Sequence, residues 1–305
     1  MSVGPCYLGS WPFVMKTAPS WVDPSLFPFR SQWLNIAECE IHYVDEGSGD
    51  VILFLHGTPE WSFAYRHVVG DLKHSFRCVA PDMLGFGLSD KPPGEEYTCK
   101  AHAERLEKFI AMLGLQNITL VANDFGGSIG LHYAVNNPHN VKAILLSNTW
   151  CWSLADDPHY TRPARVMRTW LGRFMYRQLN FPVAAIMPAA YGDRKKLTRE
   201  IHKHYRNALP DAASRIGTYA FAREITEAGD WFEAVRQRLD VLKDVPKTVV
   251  WGMADKFIPA YELKKWNDLF PNARVITLPG VGHFVHEEQP GVLTSEIRSL
   301  ISATR

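Results

Sequence analysis

One stretch constrains the fold of this chain more than any other feature: Val121-Ala122-Asn123-Asp124-Phe125-Gly126-Gly127-Ser128. An apolar run of β-forming residues, 118–121, precedes it, and a helix-compatible segment, 129–135, follows it. Small residues stand two positions before and two positions after Asp124, as a sharp turn from a strand into a helix requires. Such a turn holds its central side chain exposed in a strained conformation. Asp-x-Gly is also common in ordinary turns, so the pattern by itself leaves both interpretations open.

The side chain at the centre of this turn, Asp124, determines which chemistry the turn can support. A carboxylate already carries its charge and therefore needs no base to activate it. It can attack an sp³ carbon, expel a leaving group and form an ester with the protein. The sequence thus predicts Asp124 as a nucleophile. It disfavours a serine esterase, because Ser128 lies beyond the centre of the turn.

The composition argues against several classes of function. The chain has 305 residues and a net charge of +1, which gives no large basic field, so we expect neither nucleic acid nor an acidic membrane surface as a partner. Its five cysteines are odd in number and scattered, which argues against a disulfide framework or a zinc site and favours a reducing, cytoplasmic location. We expect no signal peptide, because the start of the chain lacks a basic region. We also expect no membrane-spanning segment, because the apolar stretches are too short.

Apolar runs alternate with segments of helical periodicity along much of the chain. Short apolar runs predict strands at 33–36, 41–44, 51–55, 76–80, 118–121, 141–148, 248–251 and 275–278. Helical periodicity predicts helices at 100–113, 231–242, 260–270 and 289–302. Strands that alternate with helices require crossover connections, so the predicted fold class is α/β, with a doubly wound and mostly parallel sheet. Ligands of such sheets bind at the carboxyl ends of the strands, where the motifs of this chain lie.

The alternation stops after Asn148. Residues 152–229 contain no convincing parallel strand, and helices are predicted there instead, at 163–174, 195–207 and 212–227. We interpret this part as a helical cap, or lid, over the strand ends. The predicted organisation is an N-terminal arm at 1–30, a core formed by 31–151 and 230–305, and the cap at 152–229.

A nucleophilic carboxylate leaves an ester that must be hydrolysed, which requires a base for water and a group that orients the base. His283 follows the last predicted strand in Gly282-His283-Phe284, and Asp255 follows the strand before it. The chain order is therefore nucleophile, acid and base. A single histidine or aspartate is more often a surface or capping residue, but three such residues at three strand ends favour a common site. We predict His283 as the base and Asp255 as its orienting acid.

An oxyanion needs two backbone N–H donors that point to the same oxygen. The N–H of Phe125 begins the predicted helix, where donors are unpaired and the helix dipole favours negative charge. The N–H of Thr58 follows His56-Gly57 at the end of another predicted strand. We predict that these two groups hold the carboxylate of Asp124 and later the tetrahedral oxyanion.

Four motifs resemble those of haloalkane dehalogenases, and related epoxide hydrolases share much of the pattern. The motifs are His56-Gly57-Thr58-Pro59-Glu60-Trp61-Ser62, the stretch 81–92, Asn123-Asp124-Phe125-Gly126-Gly127 and Gly282-His283-Phe284. The resemblance extends over 33–301 and implies an α/β-hydrolase fold, a covalent alkyl–enzyme ester, a histidine-activated water and a small apolar substrate, with no cofactor and no metal. Haloalkane dehalogenases carry the acid either after the strand before the cap or after the strand beyond it. The first of these positions is Asn148 here, so the chain resembles the branch with the late acid, Asp255.

One position departs from the dehalogenase pattern. Dehalogenases usually carry Trp directly after the nucleophile, where its indole N–H binds the leaving halide, whereas this chain carries Phe125. Each missing charge-assisted hydrogen bond costs about 2–3 kcal/mol. We predict Trp150, Trp152 and Trp170 at the cap entrance, where they are candidate substitutes for the missing donor. Packing within the cap is the alternative interpretation of each.

Phe after the nucleophile also fits epoxide hydrolases, in which two cap tyrosines protonate the opening ring oxygen. Spacing selects no pair among the five candidates in the predicted cap: Tyr160, Tyr176, Tyr191, Tyr205 and Tyr219. The expected function is hydrolytic dehalogenation of haloalkanes to alcohols. Hydrolysis of epoxides or lactones by the same three residues is the alternative, and a non-catalytic binding protein on this scaffold is less favoured.

Overall fold

Eight strands form a single sheet in the computed structural model, which describes residues 16–304 of the chain. The strands are Ser31–Ile36 (β1), Cys39–Glu46 (β2), Val51–Leu55 (β3), Arg77–Pro81 (β4), Ile118–Asn123 (β5), Val141–Ser147 (β6), Lys247–Gly252 (β7) and Arg274–Leu278 (β8). Their order across the sheet is β1-β2-β4-β3-β5-β6-β7-β8. β2 pairs antiparallel with both β1 and β4, and the other neighbours pair in parallel. The predicted α/β class and mostly parallel sheet are confirmed.

The central strands read as continuous apolar runs because both faces of the sheet are covered. Successive side chains of a strand point to opposite faces. Leu53 and Leu55 of β3 therefore belong to one buried cluster, and Ile52 and Phe54 belong to the other. Every position of β5 and β7 is buried. These strands hold the loops at their carboxyl ends in fixed positions.

Helices cover the two faces of the sheet. In chain order they are Arg66–Leu72 (α1), Cys99–Met112 (α2), Phe125–Asn136 (α3), Pro158–Met167 (α4), Trp170–Arg177 (α5), Met187–Ala190 (α6), Arg199–Asn207 (α7), Ile216–Glu227 (α8), Gly229–Arg236 (α9), Ala260–Leu269 (α10), Val285–Glu288 (α11) and Pro290–Ser302 (α12). α2 packs against α3, and α1 packs against α12. The helices α2, α10 and α12 begin and end within one residue of their predicted limits.

The segment between β6 and β7 is helical, as predicted, but its first part differs from the prediction. The single helix predicted at 163–174 is wrong, because α4 and α5 are separate helices. Thr169 starts the second one, since its hydroxyl oxygen accepts a hydrogen bond from the N–H of Gly172 at 3.3 Å. α4 begins earlier than predicted, at Pro158. The helical turn Pro182–Ile186, which leads into α6, is not indicated by the sequence pattern.

The predicted arm at 1–30 lies partly outside the described residues, which begin at 16. Within the described part, Phe27 is buried against Trp61 and Phe63, with ring centroids 5.1 and 5.9 Å apart. The limits proposed for the arm, the core and the cap stay a prediction. None of the helices in the described part of the chain has the length and apolar character needed to cross a membrane.

Candidate active site

The strand β5 and the helix α3 meet at Asp124, which adopts a φ of +52°. A positive φ is strained for a residue with a side chain, and here it turns the chain from strand to helix. Close packing explains the small neighbour, because a Cβ atom at Gly126 would lie 2.4 Å from the carbonyl oxygen of Leu55. Two residues just beyond β6 form hydrogen bonds with the backbone of this turn. The Asp124 N–H donates to the Asn148 carbonyl at 3.1 Å, and the Thr149 hydroxyl donates to the Asp124 carbonyl at 2.6 Å.

The structure brings Asp124, His283 and Asp255 together at the carboxyl end of the sheet. His283 Nε2 lies 3.4 Å from Asp124 Oδ2, and His283 Nδ1 lies 2.8 Å from Asp255 Oδ2. All three residues are buried. Burial alone would lower the pKa of His283, but the carboxylates of Asp255 and Asp124 outweigh it and raise the pKa of this imidazole well above its ordinary value.

Asp255 is held by hydrogen bonds to both of its carboxylate oxygens. Oδ1 accepts from the backbone N–H groups of Phe257 and Ile258, at 2.7 and 3.1 Å. Oδ2 accepts from the side-chain amide of Asn148 at 2.9 Å and faces His283 Nδ1. Since the carboxylate only accepts, His283 Nδ1 carries a proton toward Asp255, and Nε2 faces Asp124. The resemblance marks position 148 as one where other dehalogenases carry their acid, but the sequence does not predict that Asn148 supports Asp255.

One backbone donor contacts the carboxylate of Asp124, and a second candidate donor stands at the start of the following helix. The N–H of Thr58 donates to Asp124 Oδ1 at 3.1 Å. Gly57 permits this approach, because a Cβ atom there would lie 2.3 Å from Asp124 Cβ. Phe125 is the first residue of α3, so its N–H has no partner within the helix. The contact of the Thr58 N–H with Asp124 fits its predicted part in an oxyanion site, and the part of the Phe125 N–H stays a prediction.

No sequence motif indicates the buried pair that supports Thr58. Glu60 Oε1 lies 2.6 Å from His286 Nε2, and Glu60 Oε2 accepts a hydrogen bond from the N–H of Gly57 at 3.4 Å. His286 lies one helical turn after His283 in the sequence. The pair therefore links the loop that carries the Thr58 N–H to the segment that carries the imidazole. A contact between residues so far apart in the chain leaves no periodic signal to read.

The carboxylate of Asp124 lines a cavity of about 480 Å³ between the strand ends and the cap helices. Most of the other lining side chains are apolar, among them Leu154, Met167, Phe181, Ile186, Ile225 and Ile258. A cavity of this size and character suits a small apolar molecule. Within residues 16–304, no three His, Cys, Asp or Glu side chains are grouped so that they could hold a metal ion.

The three tryptophans considered as leaving-group residues have different surroundings. Trp150 is buried and lines the cavity with Asp124, and its indole nitrogen has no hydrogen-bond partner among the described residues. Trp152 donates its indole N–H to Glu262 at 2.7 Å, so this donor is occupied. Trp170 is 79% exposed and does not line the cavity. The interpretation of Trp152 and Trp170 as leaving-group residues is therefore wrong, because one donor is bonded elsewhere and the other side chain faces solvent.

Phe125 belongs to an aromatic stack and not to the cavity wall. Its ring lies nearly parallel to that of Phe221, with centroids 4.2 Å apart, and edge-on to Trp150 at 4.9 Å. The side chain that is a donor in the dehalogenase pattern thus supplies only packing here. This packing holds the ring of Trp150 in place beside the cavity.

Two of the five cap tyrosines, Tyr160 and Tyr176, line the cavity. The hydroxyl of Tyr160 lies 3.4 Å from Glu262 Oε1. Burial raises the pKa of the Tyr176 hydroxyl, and the charge of Asp124 raises it further. The remaining three, Tyr191, Tyr205 and Tyr219, do not line the cavity. Sequence spacing could not select the pair, because the choice depends on how separate helices pack.

Residues 50–290 match the family described as the alpha/beta hydrolase fold. The chain therefore belongs to the alpha/beta hydrolase fold family, in which the sheet and the turn at Asp124 already placed it.

Within this family, the chain is similar to haloalkane dehalogenases and to a related decarboxylase. The chain is 35% identical over 277 residues to haloalkane dehalogenase 2 of Mycobacterium tuberculosis (strain ATCC 25618 / H37Rv), covering 90% of this chain and 96% of that protein. It is 31% identical over 289 residues to the cis-3-alkyl-4-alkyloxetan-2-one decarboxylase of Shewanella oneidensis, covering 92% and 91%. The crystal structure of the haloalkane dehalogenase DatA from Agrobacterium tumefaciens C58 matches with a TM-score of 0.82 at 25% identity, covering 90% and 97%. The resemblance to haloalkane dehalogenases that the motifs indicate is confirmed.

Proposed function

We propose that this protein hydrolyses small haloalkanes to alcohols and halide ions through a covalent ester on Asp124. One observation carries the proposal: Asp124 faces an apolar cavity, and His283 Nε2 lies 3.4 Å from the same carboxylate. A nucleophile that needs no activation and an adjacent base are what a two-step displacement requires. The similarity to haloalkane dehalogenase 2 supports the same reaction.

In the first step, Asp124 Oδ2 attacks the carbon that bears the halogen, and the carbon–halogen bond breaks with its electron pair on the halide. The N–H of Thr58 holds Oδ1 at 3.1 Å, which makes Oδ2 the oxygen that attacks. The indole N–H of Trp150 is the donor that we assign to the departing halide, since this side chain lines the cavity and its nitrogen has no partner in the described part of the chain. Loss of one donor to a developing anion typically costs about 10²–10³ in rate.

In the second step, water attacks the ester carbonyl carbon of Asp124 while His283 Nε2 takes its proton. The N–H groups of Thr58 and Phe125 bind the resulting oxyanion, and its collapse releases the alcohol and restores the carboxylate. In the free protein two carboxylates raise the pKa of His283. Esterification removes the charge of Asp124, so the pKa of the imidazole falls, which favours the neutral form that the step needs.

The leaving halide meets fewer donors here than in the dehalogenase pattern, because Phe125 has none. Bromide and iodide need less stabilisation than chloride, since they are better leaving groups. We therefore expect kcat/KM for bromoalkanes to exceed that for the matching chloroalkanes by more than tenfold.

Epoxide hydrolysis is a second candidate, and Tyr176 is the residue that favours it. Its side chain lines the same cavity as Asp124. A tyrosine hydroxyl is protonated at neutral pH and is able to donate to a ring oxygen as the ring opens. Asp124 and His283 would have the same roles in that reaction as in dehalogenation.

One pair of variants separates the two reactions. The assay measures halide release from bromoalkanes and chloroalkanes, diol formation from epoxides, and opening of a β-lactone as a third substrate class. Trp150→Phe removes the indole N–H and should slow halide release about 100-fold, with little effect on epoxide opening. Tyr176→Phe should have the opposite effect. Trp152→Phe is the matched control, because its indole N–H is bonded to Glu262.

Halide release that falls in Trp150→Phe and persists in both other variants supports dehalogenation. Epoxide turnover that depends on Tyr176, together with no halide release from any haloalkane, overturns it in favour of the second candidate.

We propose in addition that the protein works in the cytoplasm. The four cysteines among the described residues, Cys39, Cys78, Cys99 and Cys151, are buried and unpaired. Burial raises the pKa of the Cys78 thiol to about 12, which keeps it protonated and unreactive. Such residues suit a reducing compartment. Cell fractionation with an antibody to the chain tests this location, and recovery outside the cytoplasm would contradict it.

A further inference from the structure

The first part of the cap is strongly basic although the whole chain is almost neutral. Residues 158–192 contain five arginines and no acidic residue, whereas the net charge of the chain is +1. The arginines are Arg162, Arg165, Arg168, Arg173 and Arg177. The small net charge of the whole chain therefore does not exclude a positive field at the cap. The expectation of no membrane partner rests on the net charge alone.

The same part of the cap exposes large apolar side chains. Half of the large exposed hydrophobic residues in the described chain lie here, and we call these five the cap patch: Val166, Trp170, Leu171, Phe174 and Leu179. Trp170 is the most exposed of them, at 79%. Contiguous exposed apolar surface on a water-soluble domain marks an interaction site.

Two members of the cap patch lie side by side on α5. Trp170 and Phe174 are four residues apart on α5, so their side chains lie on one face of the helix. Gly172 and Tyr176, on the opposite face, are buried. α5 also packs closely on the end of α4, since a Cβ atom at Gly172 would lie 2.4 Å from the carbonyl oxygen of Val166.

The arginines around the cap patch are largely available to a ligand. Arg162, Arg165 and Arg173 are exposed and form no ion pair with another residue in 16–304. Arg168 pairs with Glu227 at 3.2 Å, where both side chains remain partly exposed. Arg177 donates to the carbonyl of Ala212. Free guanidinium groups beside exposed Trp, Phe and Leu match the charge and polarity of an anionic lipid surface.

A second copy of the chain fits this surface less well. In a two-fold dimer the same patch faces itself, so the arginines of one subunit would lie against those of the other. Residues 158–192 contain no acidic residue that could compensate them, and Glu227, which contacts Arg168, also pairs with Arg223. Like charges across an interface oppose association.

We propose that the cap patch docks on the surface of an anionic phospholipid bilayer. Trp170 and Phe174 enter the interfacial region, and the exposed arginines contact the phosphate groups. The inner sides of the same helices line the cavity through Pro163, Met167 and Tyr176. Docking therefore brings the cavity close to the phase in which apolar molecules concentrate. This docking does not depend on which substrate Asp124 attacks.

Cosedimentation of the full chain with vesicles tests the proposal. Vesicles of phosphatidylcholine with about 30% phosphatidylglycerol should bind the protein, vesicles of phosphatidylcholine alone should bind it at least tenfold less, and added salt should release it. Arg165→Gln and Arg173→Gln should each weaken binding about fivefold. Trp170→Ala should weaken it about tenfold or more, because an interfacial aromatic anchor is lost.

Matched controls lie on another part of the surface. Met112→Ala removes an exposed apolar side chain from α2, and Lys100→Gln removes an exposed cation from the same helix. Neither change should alter vesicle binding by more than twofold, and circular dichroism checks that each variant is folded.

Three outcomes would overturn the proposal. The first is an absence of binding to vesicles that contain phosphatidylglycerol. The second is equal binding to the two kinds of vesicle, or equal effects of the cap and control variants. The third is a concentration-dependent dimer in light scattering that Trp170→Ala converts to a monomer, because a second copy would then be the occupant of the cap patch.

Discussion

The strand ends and the cap helices enclose the same cavity, yet they are built differently. At the strand ends, polar side chains have defined partners, as Asp255 shows with hydrogen bonds to both of its oxygens. On the cap side, the cavity wall consists mainly of apolar residues such as Met167 and Ile225. Hydrogen bonds are directional, whereas burial of apolar surface is not. The strand ends therefore fix atomic positions, and the cap fixes only shape and polarity.

This difference separates the chemistry from the choice of substrate. Reaction at Asp124 requires atoms held within a few tenths of an ångström, which a hydrogen-bonded site provides. An apolar wall tolerates substitution when its volume is conserved. Changes at the strand ends should therefore remove activity, while changes in the cap should alter which molecules enter.

The largest contrast between the two regions is expected from Asp124→Ala and Met167→Ala. Asp124→Ala removes the nucleophile, so hydrolysis of every substrate that the wild type accepts should fall below detection while the protein stays folded. Met167→Ala enlarges the cavity and should shift KM among substrates of different size, with kcat retained. Steady-state kinetics with circular dichroism measures both. Turnover by Asp124→Ala would show that the carboxylate of Asp124 is not the nucleophile.

Asp255→Asn should lower kcat by about 10³–10⁴, because the amide favours the wrong tautomer of His283. The hydrogen bonds from the backbone to the side chain survive in the variant, so the fold should persist. Asp157→Asn is the control, since Asp157 lies at the start of α4 and its Oδ1 accepts from the N–H of His159. Near-normal activity of Asp255→Asn, or an equal loss in Asp157→Asn, would mean that the orienting acid lies elsewhere.

Glu60→Ala tests whether the buried contacts of Glu60 with Gly57 and His286 contribute to activity. The change leaves the N–H of Gly57 and the imidazole of His286 without a partner, at about 1–3 kcal/mol for each buried group. We expect the free energy of unfolding in urea to fall by about 2–6 kcal/mol and kcat to fall about tenfold as Thr58 shifts. The exposed Glu104 supplies the control, Glu104→Ala. A stability loss with unchanged kcat would limit Glu60 to a structural role.

His102 provides a smaller test at the contact between the core and the cap. It packs against Phe221 of α8, and burial, with Arg105 and His56 nearby, lowers its pKa to about 3. In the unfolded chain, His102 binds a proton below about pH 6.5, whereas in the folded protein it stays neutral until the pH is much lower. The free energy of unfolding therefore decreases as the pH falls below about 6.5. Between pH 7 and pH 5 the wild type should lose about 2 kcal/mol more than His102→Leu in urea unfolding. If the free energy of unfolding changed equally with pH in the two proteins, the imidazole of His102 would not be buried in its neutral form.

The contrast between the two regions also explains what the sequence could predict. Asp124, His283 and Asp255 each follow a strand that apolar periodicity identifies, and parallel strands end at one edge of a sheet, so their proximity was predictable. Trp170 could not be assigned in the same way. Helices in the cap carry apolar residues on the side that faces the cavity and on the side that faces solvent, and periodicity does not distinguish the two. The sequence does not predict the break at Thr169, because the only local signal is the hydroxyl that caps α5. No glycine or proline stands between α4 and α5.

The central claim is that a carboxylate forms an ester which the imidazole then hydrolyses. His283→Gln keeps the nucleophile but removes the base, so the first step should proceed and the second should stop. Intact-protein mass spectrometry after incubation with a bromoalkane should show one adduct per chain, with the mass of the alkyl group and without bromine, on the peptide that contains Asp124. An epoxide would add its whole mass instead, which also distinguishes the two candidate reactions. If the wild type turns over a substrate while His283→Gln never accumulates an adduct, water attacks the substrate directly and the ester mechanism is contradicted.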